Sequence, residues 1–343
     1  MKKIELMALA MLLGFAVHAD TQVVGGITWT YQIVDGEAWV GKGSTSSEAV
    51  PKSTAGDITV PSELGGCPVT VISDYAFYWR RSLTSVTIPE GVRSIGESAF
   101  GDDDALTSVT IPSSITNIGN AAFQYCSGLT ALSIPEGVTV FNNSVFRDCS
   151  GLVSINVPSN LTFIGESTFN GCKSLESIEI PQGVLSIDYA AFSGCAALTT
   201  ITIPQGVTNV GTSAFSKCSG LRAVAIPACV VRRSEAMSGT FPAAYQQITN
   251  VTIWSGAESI GAGAFCDCSA LTSLAIPDGV TSIGNSAFAG CAALASLEIP
   301  SSVTSLGESV FSGCAGLVSI AIPQGVSALD MYAFKDCAGL TSM

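Results

Sequence analysis

The fold is set by a stretch that the chain repeats, CKSLESIEIPQGVLSIDYAAF at residues 172–192. It has the pattern Cys-x-x-Leu-x-x-Ile-x-Ile-Pro-x-Gly-Val-x-x-Ile-(x)4-Phe, and two further residues lead to the next cysteine, Cys195. The unit is therefore 23 residues long. A fixed period of roughly 20–50 residues is typical of solenoid proteins, in which each unit buries its apolar side against its neighbours.

Proline and phenylalanine recur at this period along most of the chain. In each unit the alternating apolar residues before the proline predict a short strand, which the proline ends because it has no N–H to donate to the ladder. A second apolar pair, Val-x-x-Ile, follows, and a tight Ala-Phe corner places the phenylalanine in the core. We therefore expect a β-rich solenoid of about twelve turns over residues 57–343, with the last turn truncated. The prolines that keep the period are Pro89, Pro112, Pro135, Pro158, Pro181, Pro204, Pro227, Pro277, Pro300 and Pro323.

The full unit resembles a known bacterial repeat. The pattern Phe-x-x-Cys-x-x-Leu-x-x-Ile-x-Ile-Pro-x-x-Val-x-x-Ile-Gly-x-x-Ala-Phe is similar to the BspA-type leucine-rich repeat of bacterial surface proteins, and the resemblance covers residues 57–343. It implies a leucine-rich-repeat solenoid that serves as a secreted or surface-exposed binding scaffold, with adhesion to host or neighbouring-cell proteins in some members. It implies no catalytic residues.

The first nineteen residues have the composition of a secretory signal peptide. Lys2 and Lys3 precede an apolar run at residues 4–17, and Val17 and Ala19 supply small residues before a cleavage point after Ala19. The apolar run is too short for a stable membrane span. We therefore predict an exported chain, extracellular or on the cell surface.

Residues 20–56 do not follow the repeat. The segment 27–34 is rich in β-branched and aromatic residues, Asp35-Gly36 is typical of a hairpin turn, and residues 38–40 can return as a second strand. We predict a hairpin that caps the first open edge of the solenoid, followed by a loop to residue 56. The alternative is a sugar-binding aromatic patch formed by Trp29, Tyr31 and Trp39.

Charge and composition exclude several classes of protein. The net charge of −13 argues against a nucleic-acid partner, because no basic stripe is present to neutralise phosphates. The single histidine, His18, lies in the predicted signal peptide, so the mature chain has none. Histidine-dependent triads, Cys–His nucleophiles and histidine metal sites are thereby excluded. We expect no enzymatic activity and no cofactor.

Two carboxylate clusters leave alternatives open. The run at residues 102–104 carries three aspartates, which either face water in a loop or bind calcium through their oxygens. Consecutive side chains lack the alternating spacing of a defined calcium site, which favours the loop. Glu97 and Asp102 form an acid/base pair that the sequence by itself does not exclude.

Nine cysteines share one position of the repeat, three residues before the leucine. An odd number in one column is a poor basis for a full set of disulfides, and a buried cysteine packs as a small hydrophobe. We predict a column of free, buried thiols, and we expect disulfide or redox behaviour at the three cysteines off the column, Cys67, Cys229 and Cys266. The column comprises Cys126, Cys149, Cys172, Cys195, Cys218, Cys268, Cys291, Cys314 and Cys337.

An irregular turn at residues 228–253 is the first candidate for partner contact. Pro227 and Pro277 lie 50 residues apart, four more than two repeats require, and insertions in repeat proteins often project and bind. The alternative is a tolerated degenerate repeat. The candidate contact residues are Arg232, Arg233, Glu235, Met237 and Tyr245.

A second candidate lies near the first turn, where aromatic and arginine residues cluster. Tyr, Trp and Arg are enriched in interface hot spots. The candidates are Tyr75, Tyr78, Trp79, Arg80 and Arg81.

These patterns favour an exported, non-enzymatic scaffold that mediates adhesion or protein–protein contact. The alternative is a structural spacer or stalk that carries another domain absent from this chain. The last turn stops midway through its strand, and we expect this uncapped end either to make an end-to-end contact or to continue in a missing C-terminal region.

Overall fold

The computed structural model describes residues 19–42 and 48–342. The signal peptide predicted for residues 1–19 lies, apart from Ala19, outside the described residues. The described chain winds as a solenoid whose turns repeat every 23 residues, as the spacing of the prolines predicts. Most regular turns have two strand sides and one corner.

The first side is formed by the apolar alternation before each proline. Its strands pair in parallel with a register of one repeat, so that Val86 lies opposite Val109. Val86 and its counterparts point inward, whereas Thr87 and its counterparts point outward. The strands of this side are Gly56–Thr59, Leu83–Thr87, Ser108–Thr110, Ala131–Ser133, Ser154–Asn156, Thr200–Thr202, Ala223–Ile226, Asn250–Ile253, Ser273–Ala275, Ser296–Leu297 and Ser319–Ile320.

The second side follows from the Val-x-x-Ile pair. Most of its strands are short because the backbone turns directly after them, in most turns at a glycine, and they also pair in parallel, as Ile164 does with Ile187. The strands of this side are Glu37–Val40, Cys67–Ile72, Ser94–Ile95, Asn117–Ile118, Val140–Phe141, Phe163–Ile164, Ser186–Ile187, Asn209–Val210, Ser259–Ile260, Ser282–Ile283 and Ser305–Leu306.

The corner carries the phenylalanine into the core. Its backbone also bonds from turn to turn, as when the N–H of Phe100 donates to the carbonyl of Ala122 at 2.8 Å. The phenyl rings stack with centroids 5.1–5.8 Å apart, in one run from Phe77 to Phe241 and another from Phe265 to Phe334. These stacked rings pack each turn against the next.

The cysteine column packs beside this ladder. All twelve cysteines lie within the described residues and are free thiols. A column thiol donates to the carbonyl of the phenylalanine one turn earlier, as Cys126 Sγ does to Phe100 O at 2.9 Å and Cys149 Sγ to Phe123 O at 3.0 Å. Burial raises the pKa of Cys149 to about 12. These thiols are therefore protonated packing groups.

The N-terminal segment forms three antiparallel strands, Asp20–Val24, Ile27–Val34 and Glu37–Val40. The third pairs in parallel with Cys67–Ile72 and so joins the second side of the solenoid. A further short strand, Glu63–Leu64, folds back on the same partner. The first strand was not predicted from the sequence.

The sugar-binding alternative for this segment is wrong. Trp29 is only 1% exposed and packs edge-on against Phe77 at 6.2 Å, and Tyr31 is also buried. Trp39 is half-buried. Trp29 and Tyr31 belong to the core, where Trp29 covers the first ring of the phenylalanine ladder.

The irregular turn is hydrogen-bonded to both of its neighbours, which favours the interpretation of residues 228–253 as a degenerate repeat. It forms two short helices, Ala228–Val231 and Ala236–Thr240, and a 3-10 helix, Tyr245–Gln247. The segment keeps its bonds to both neighbours: Phe215 N–H donates to Thr240 O, and Glu235 N–H to Ala262 O. A helix rises about 1.5 Å per residue and a strand about 3.3 Å, so helices absorb the four extra residues within the stack.

Candidate functional site

The irregular turn offers little free side-chain surface. Met237 is fully buried, so its prediction as a contact residue is wrong. Arg232 is exposed, but it donates to Gly256 O at 2.7 Å and lies 3.7 Å from Glu258. Arg233 donates to Val210 O at 2.5 Å. Both arginines hold the backbone of a neighbouring turn.

The two other candidates of this turn lie nearer to solvent. Glu235 is exposed and has a left-handed backbone with φ 51°. Tyr245 is half-buried and packs on the core. Among the described residues, no hydrogen bond or ion pair joins Glu235 or Tyr245 to either arginine.

The corner of the first turns presents a denser set of side chains. Trp79 is 52% exposed, and the guanidinium of Arg81 and the ammonium of Lys52 lie 5.6 and 5.8 Å from its ring centroid. Tyr78 is also exposed and packs edge-on against Tyr75 at 5.6 Å. The predicted residues Tyr75, Tyr78, Trp79 and Arg81 thus form one contiguous patch.

Arg80 does not belong to this surface, and its prediction as a contact residue is wrong. It is 3% exposed, because it occupies the column position that later turns fill with cysteine. Its guanidinium donates to Tyr78 O at 3.2 Å and lies 3.4 Å from Glu48. Arg80 therefore ends the column at the first turn, where the described residues include no earlier phenylalanine carbonyl to accept a hydrogen bond from a column thiol.

Asp103 fills the same column position in the next turn. It is fully buried, and its carboxylate accepts the backbone N–H of Arg80. Burial raises the pKa of Asp103 to about 8, although the charge of Arg80 acts in the opposite direction. The prediction that residues 102–104 form a solvated loop is therefore wrong for Asp103, whereas Asp104 is exposed.

The outer edge of the corner is built on an unusual backbone. The position two residues after each phenylalanine has a positive φ, and in some turns it is glycine, as at Gly171 and Gly194. In four consecutive turns it carries a side chain instead. A left-handed backbone costs a non-glycine residue about 1–2 kcal/mol. The four residues are Trp79, Asp102, Tyr125 and Asp148, with φ of 59°, 60°, 61° and 56°.

We call these four residues, together with Tyr78 and Arg81, the corner strip. Tyr125 is 39% exposed, and Asp102 binds Tyr78, whose pKa is raised by that hydrogen bond. Glu97 accepts a hydrogen bond from Tyr75 at 3.1 Å. Glu97 and Asp102 thus each engage a tyrosine, which suits a recognition surface.

A cleft of about 310 Å³ lies along the strip. Sequence reasoning did not identify it, although the signal was available: its residues fall into columns with the 23-residue spacing of the repeat. Acidic, basic, hydroxyl and aromatic side chains all contribute. The lining residues are Arg81, Asp102, Asp104, Tyr125, Ser127, Asp148, Ser150 and Lys173.

The described part of the chain has neither a cluster of metal ligands nor a membrane-spanning helix. Among residues 19–42 and 48–342, no group of three or more His, Cys, Asp or Glu side chains is placed to hold a metal ion. Within the same ranges, no helix has the length and apolar character needed to cross a membrane.

Comparison with known proteins gives a family and two informative structures. The model of the BspA type leucine rich repeat region matches six copies, over residues 70–187, 141–240 and 237–343. A leucine rich cell surface protein from Faecalibacterium prausnitzii A2-165 is 29% identical, with 94% of each chain covered and a TM-score of 0.54. A leucine-rich repeat protein from Bacteroides ovatus ATCC 8483 is 25% identical, with 93% of each chain covered and a TM-score of 0.54. No match was found among the curated proteins.

Proposed function

The chain belongs to the BspA-type leucine-rich-repeat family, and from this membership we propose that it is an exported, non-enzymatic scaffold that binds a protein partner at the cell surface or outside the cell. The similar Faecalibacterium protein is described as a cell surface protein, which supports the location. The signal-peptide composition of residues 1–19 supports export. Adhesion is the role that such a contact would serve.

The observation that carries this proposal is the corner strip. Its exposed Trp79, Tyr78 and Arg81 are the residue types that dominate binding energy in protein interfaces. They stand on a corner whose backbone is bonded to the next turn, as when Trp79 N–H donates to Gly101 O at 2.8 Å. Little conformational entropy is therefore lost when a partner binds.

Partner capture by the mature protein tests this proposal. We expect immobilised protein, residues 20–343, to retain a protein from cell-surface or matrix extracts, and we expect Tyr78→Ala with Trp79→Ala to lose it. Leu185→Ala with Tyr189→Ala is the matched control, because both side chains are 54% exposed at a distant turn. Capture that survives in the corner variant, or is lost equally in the control, would contradict the proposal.

A spacer or stalk is the second candidate function. A spacer needs length and rigidity alone, so capture would be insensitive to every surface substitution. Arg232→Glu with Arg233→Glu extends the test to the irregular turn. We expect capture to persist in this variant, since both arginines bond to backbone carbonyls. Loss of capture there would move the contact from the corner to the irregular turn.

An end-to-end contact is a further proposal for the assembly. Leu329, Met331 and Tyr332 are 43%, 80% and 51% exposed on the last turns. We propose that two copies pair through this end. A monomer in sedimentation velocity at high concentration would rule it out, and a dimer abolished by Met331→Asp would support it.

A further inference from the structure

The cleft beside the corner strip has its charges in a definite order along the solenoid. Arg81 comes from the first of five successive turns and Lys173 from the fifth. Asp102 and Asp104 come from the second turn and Asp148 from the fourth. Stacked strands lie about 4.8 Å apart, so the two basic ends are separated by about 19 Å.

Three carboxylates lie between the two basic ends of the cleft, and one of them, Asp148, already has a cationic neighbour in Arg147. Arg81 lies against the Trp79 ring, 5.6 Å from the centroid. Asp148 lies 3.4 Å from Arg147 Nε, and its other carboxylate oxygen lies over Gly171, where a Cβ would clash with it. Asp104 is exposed to solvent. Tyr125 lies on the third turn, between the carboxylates of the second and the fourth.

The middle of the cleft is chemically suited to one cation. A guanidinium can bond to a carboxylate in a bidentate way and stack on an aromatic ring, which an ammonium does less well. At about 310 Å³ the cleft is at the small end of the range for ligand pockets, which leaves room for one long side chain. The net charge of −13 also attracts basic partners over longer distances.

We propose that this cleft binds an arginine side chain of the protein partner. The inference rests on the proposed function, because it names the chemistry of the segment that the scaffold recognises. Asp104 and Asp148 accept the guanidinium, Tyr125 lies along its face, and the aromatic part of the corner strip covers the residues that flank it. Arg81 and Lys173 at the two ends favour acidic or neutral residues on either side of that arginine.

The test uses a defined probe, the peptide acetyl-Gly-Gly-Arg-Gly-Gly-amide, and its counterpart with citrulline, which has nearly the same shape without the charge. We expect the arginine peptide to shift the backbone amide signals of Tyr125, Ser127 and Ser150 in NMR spectra, and we expect these shifts to weaken as salt is added. The citrulline peptide should leave them unchanged. Equal shifts with both peptides, or none with either, would overturn the proposal.

Variants locate the effect. The double variant Asp104→Asn with Asp148→Asn should bind the arginine peptide about tenfold more weakly, because charge-assisted hydrogen bonds are lost. Asp278→Asn with Glu298→Gln is the matched control, because both carboxylates are exposed on later turns and the change in net charge is the same. An equal loss of affinity in the control variant would show a general charge effect and would overturn the assignment of the cleft as the arginine site. If the double variant unfolds, the exposed Asp104→Asn alone carries the test.

Failure of this inference is distinguishable from failure of the proposed function. If the protein captures a partner that the arginine peptide does not displace, the scaffold function stands and the arginine site is wrong. If the peptide binds at the cleft but no partner is captured, the site stands and the proposed function is wrong. Shifts of the same amides by a neutral oligosaccharide, with no effect of arginine, would assign the cleft to a glycan and overturn the proposal.

Discussion

At the scale of single residues, the column position beside the phenylalanine ladder shows how the core ends at the first turn. Three residues after each phenylalanine, nine turns place a cysteine, the first two place Arg80 and Asp103, and the irregular turn places Ala244. The cysteines and Ala244 fill the column, whereas the guanidinium of Arg80 ends it. Small buried side chains suit the interior of a stack, and a hydrogen-bonding one suits its edge.

The thiols of this column should be unreactive in the native protein. Thiol reagents attack the thiolate, and burial raises the pKa of Cys149, Cys268 and Cys314 to about 12. We expect a thiol reagent at pH 7 to modify the four partly exposed cysteines first, Cys67, Cys229, Cys266 and Cys337. All twelve should react in denaturant. Rapid native modification of Cys172 or Cys195, identified by mass spectrometry, would contradict this packing.

Asp103 should make stability depend on pH. Its pKa is raised from 3.8 to about 8 in the folded chain, so between these values the unfolded chain ionises while the folded chain holds the proton. This contribution is present in full below pH 4 and is lost as the pH rises towards 8. We expect the free energy of unfolding to fall by on the order of a few kcal/mol between pH 5 and 8 from this group.

The variants Asp103→Asn and Asp103→Cys isolate that effect in urea unfolding at the two pH values. Neither side chain titrates between pH 5 and 8 when buried in this column, so the fall should be smaller than in the native sequence. An identical fall in both variants would show that another group is responsible.

At the scale of the element, the corner differs from the two strand sides in what it tolerates. The strand sides use the same small outward residues in most turns, whereas the outer edge of the corner varies between glycine and large side chains. Its left-handed position costs less for Gly194 than for Tyr125. The corner is therefore where residues can change without altering the stack.

The phenylalanine ladder should dominate the stability of each turn. Phe192 is fully buried and stacks on Phe169 and Phe215 at 5.2 and 5.1 Å. We expect Phe192→Ala to lower the free energy of unfolding by about 3–5 kcal/mol. Tyr189→Ala in the same turn, which is 54% exposed, should change it by less than about 0.5 kcal/mol. Similar losses in the two variants, measured by urea unfolding, would contradict the assigned inward and outward positions.

Periodicity was enough to predict the elements of the regular turns. Residues such as Leu106 and Val109 alternate with polar neighbours, and Pro112 marks the end of the strand, so both strand sides follow from local pattern. The helix Ala228–Val231 did not follow from local pattern, because four apolar residues fit a strand as well as a helix. Packing against the neighbouring turns determines which of the two forms.

The buried arginine and the cleft were missed for related reasons. Arginine is rarely buried, so Arg80 was assigned to the surface, although it lies 23 residues before Asp103 and 46 before a column cysteine. Tyr78, Trp79 and Arg81 were predicted as contact residues because their residue types are common in interfaces. The cleft combines residues from five turns, and it becomes visible only when residues one repeat apart are compared as neighbours.

At the scale of the whole molecule, the repeat supplies a stack whose interior is uniform and whose surface is mostly small and polar. Outward residues on the first side, such as Thr87, Thr110 and Ala275, carry few charges or aromatic rings. The corner strip and its cleft concentrate exposed aromatic and charged side chains in the first five turns. A partner that binds there contacts exposed side chains that do not pack in the core.

Hydroxyl-radical footprinting of the mature protein, alone and with its captured partner, tests most directly the claim that the corner strip is the contact surface. We predict that the partner lowers the oxidation of Tyr78, Trp79 and Tyr125, which are exposed in the free chain. Tyr189 and Met331, exposed elsewhere, should oxidise at an unchanged rate. Protection of Tyr189 or Met331 with Trp79 still fully reactive would contradict the assignment.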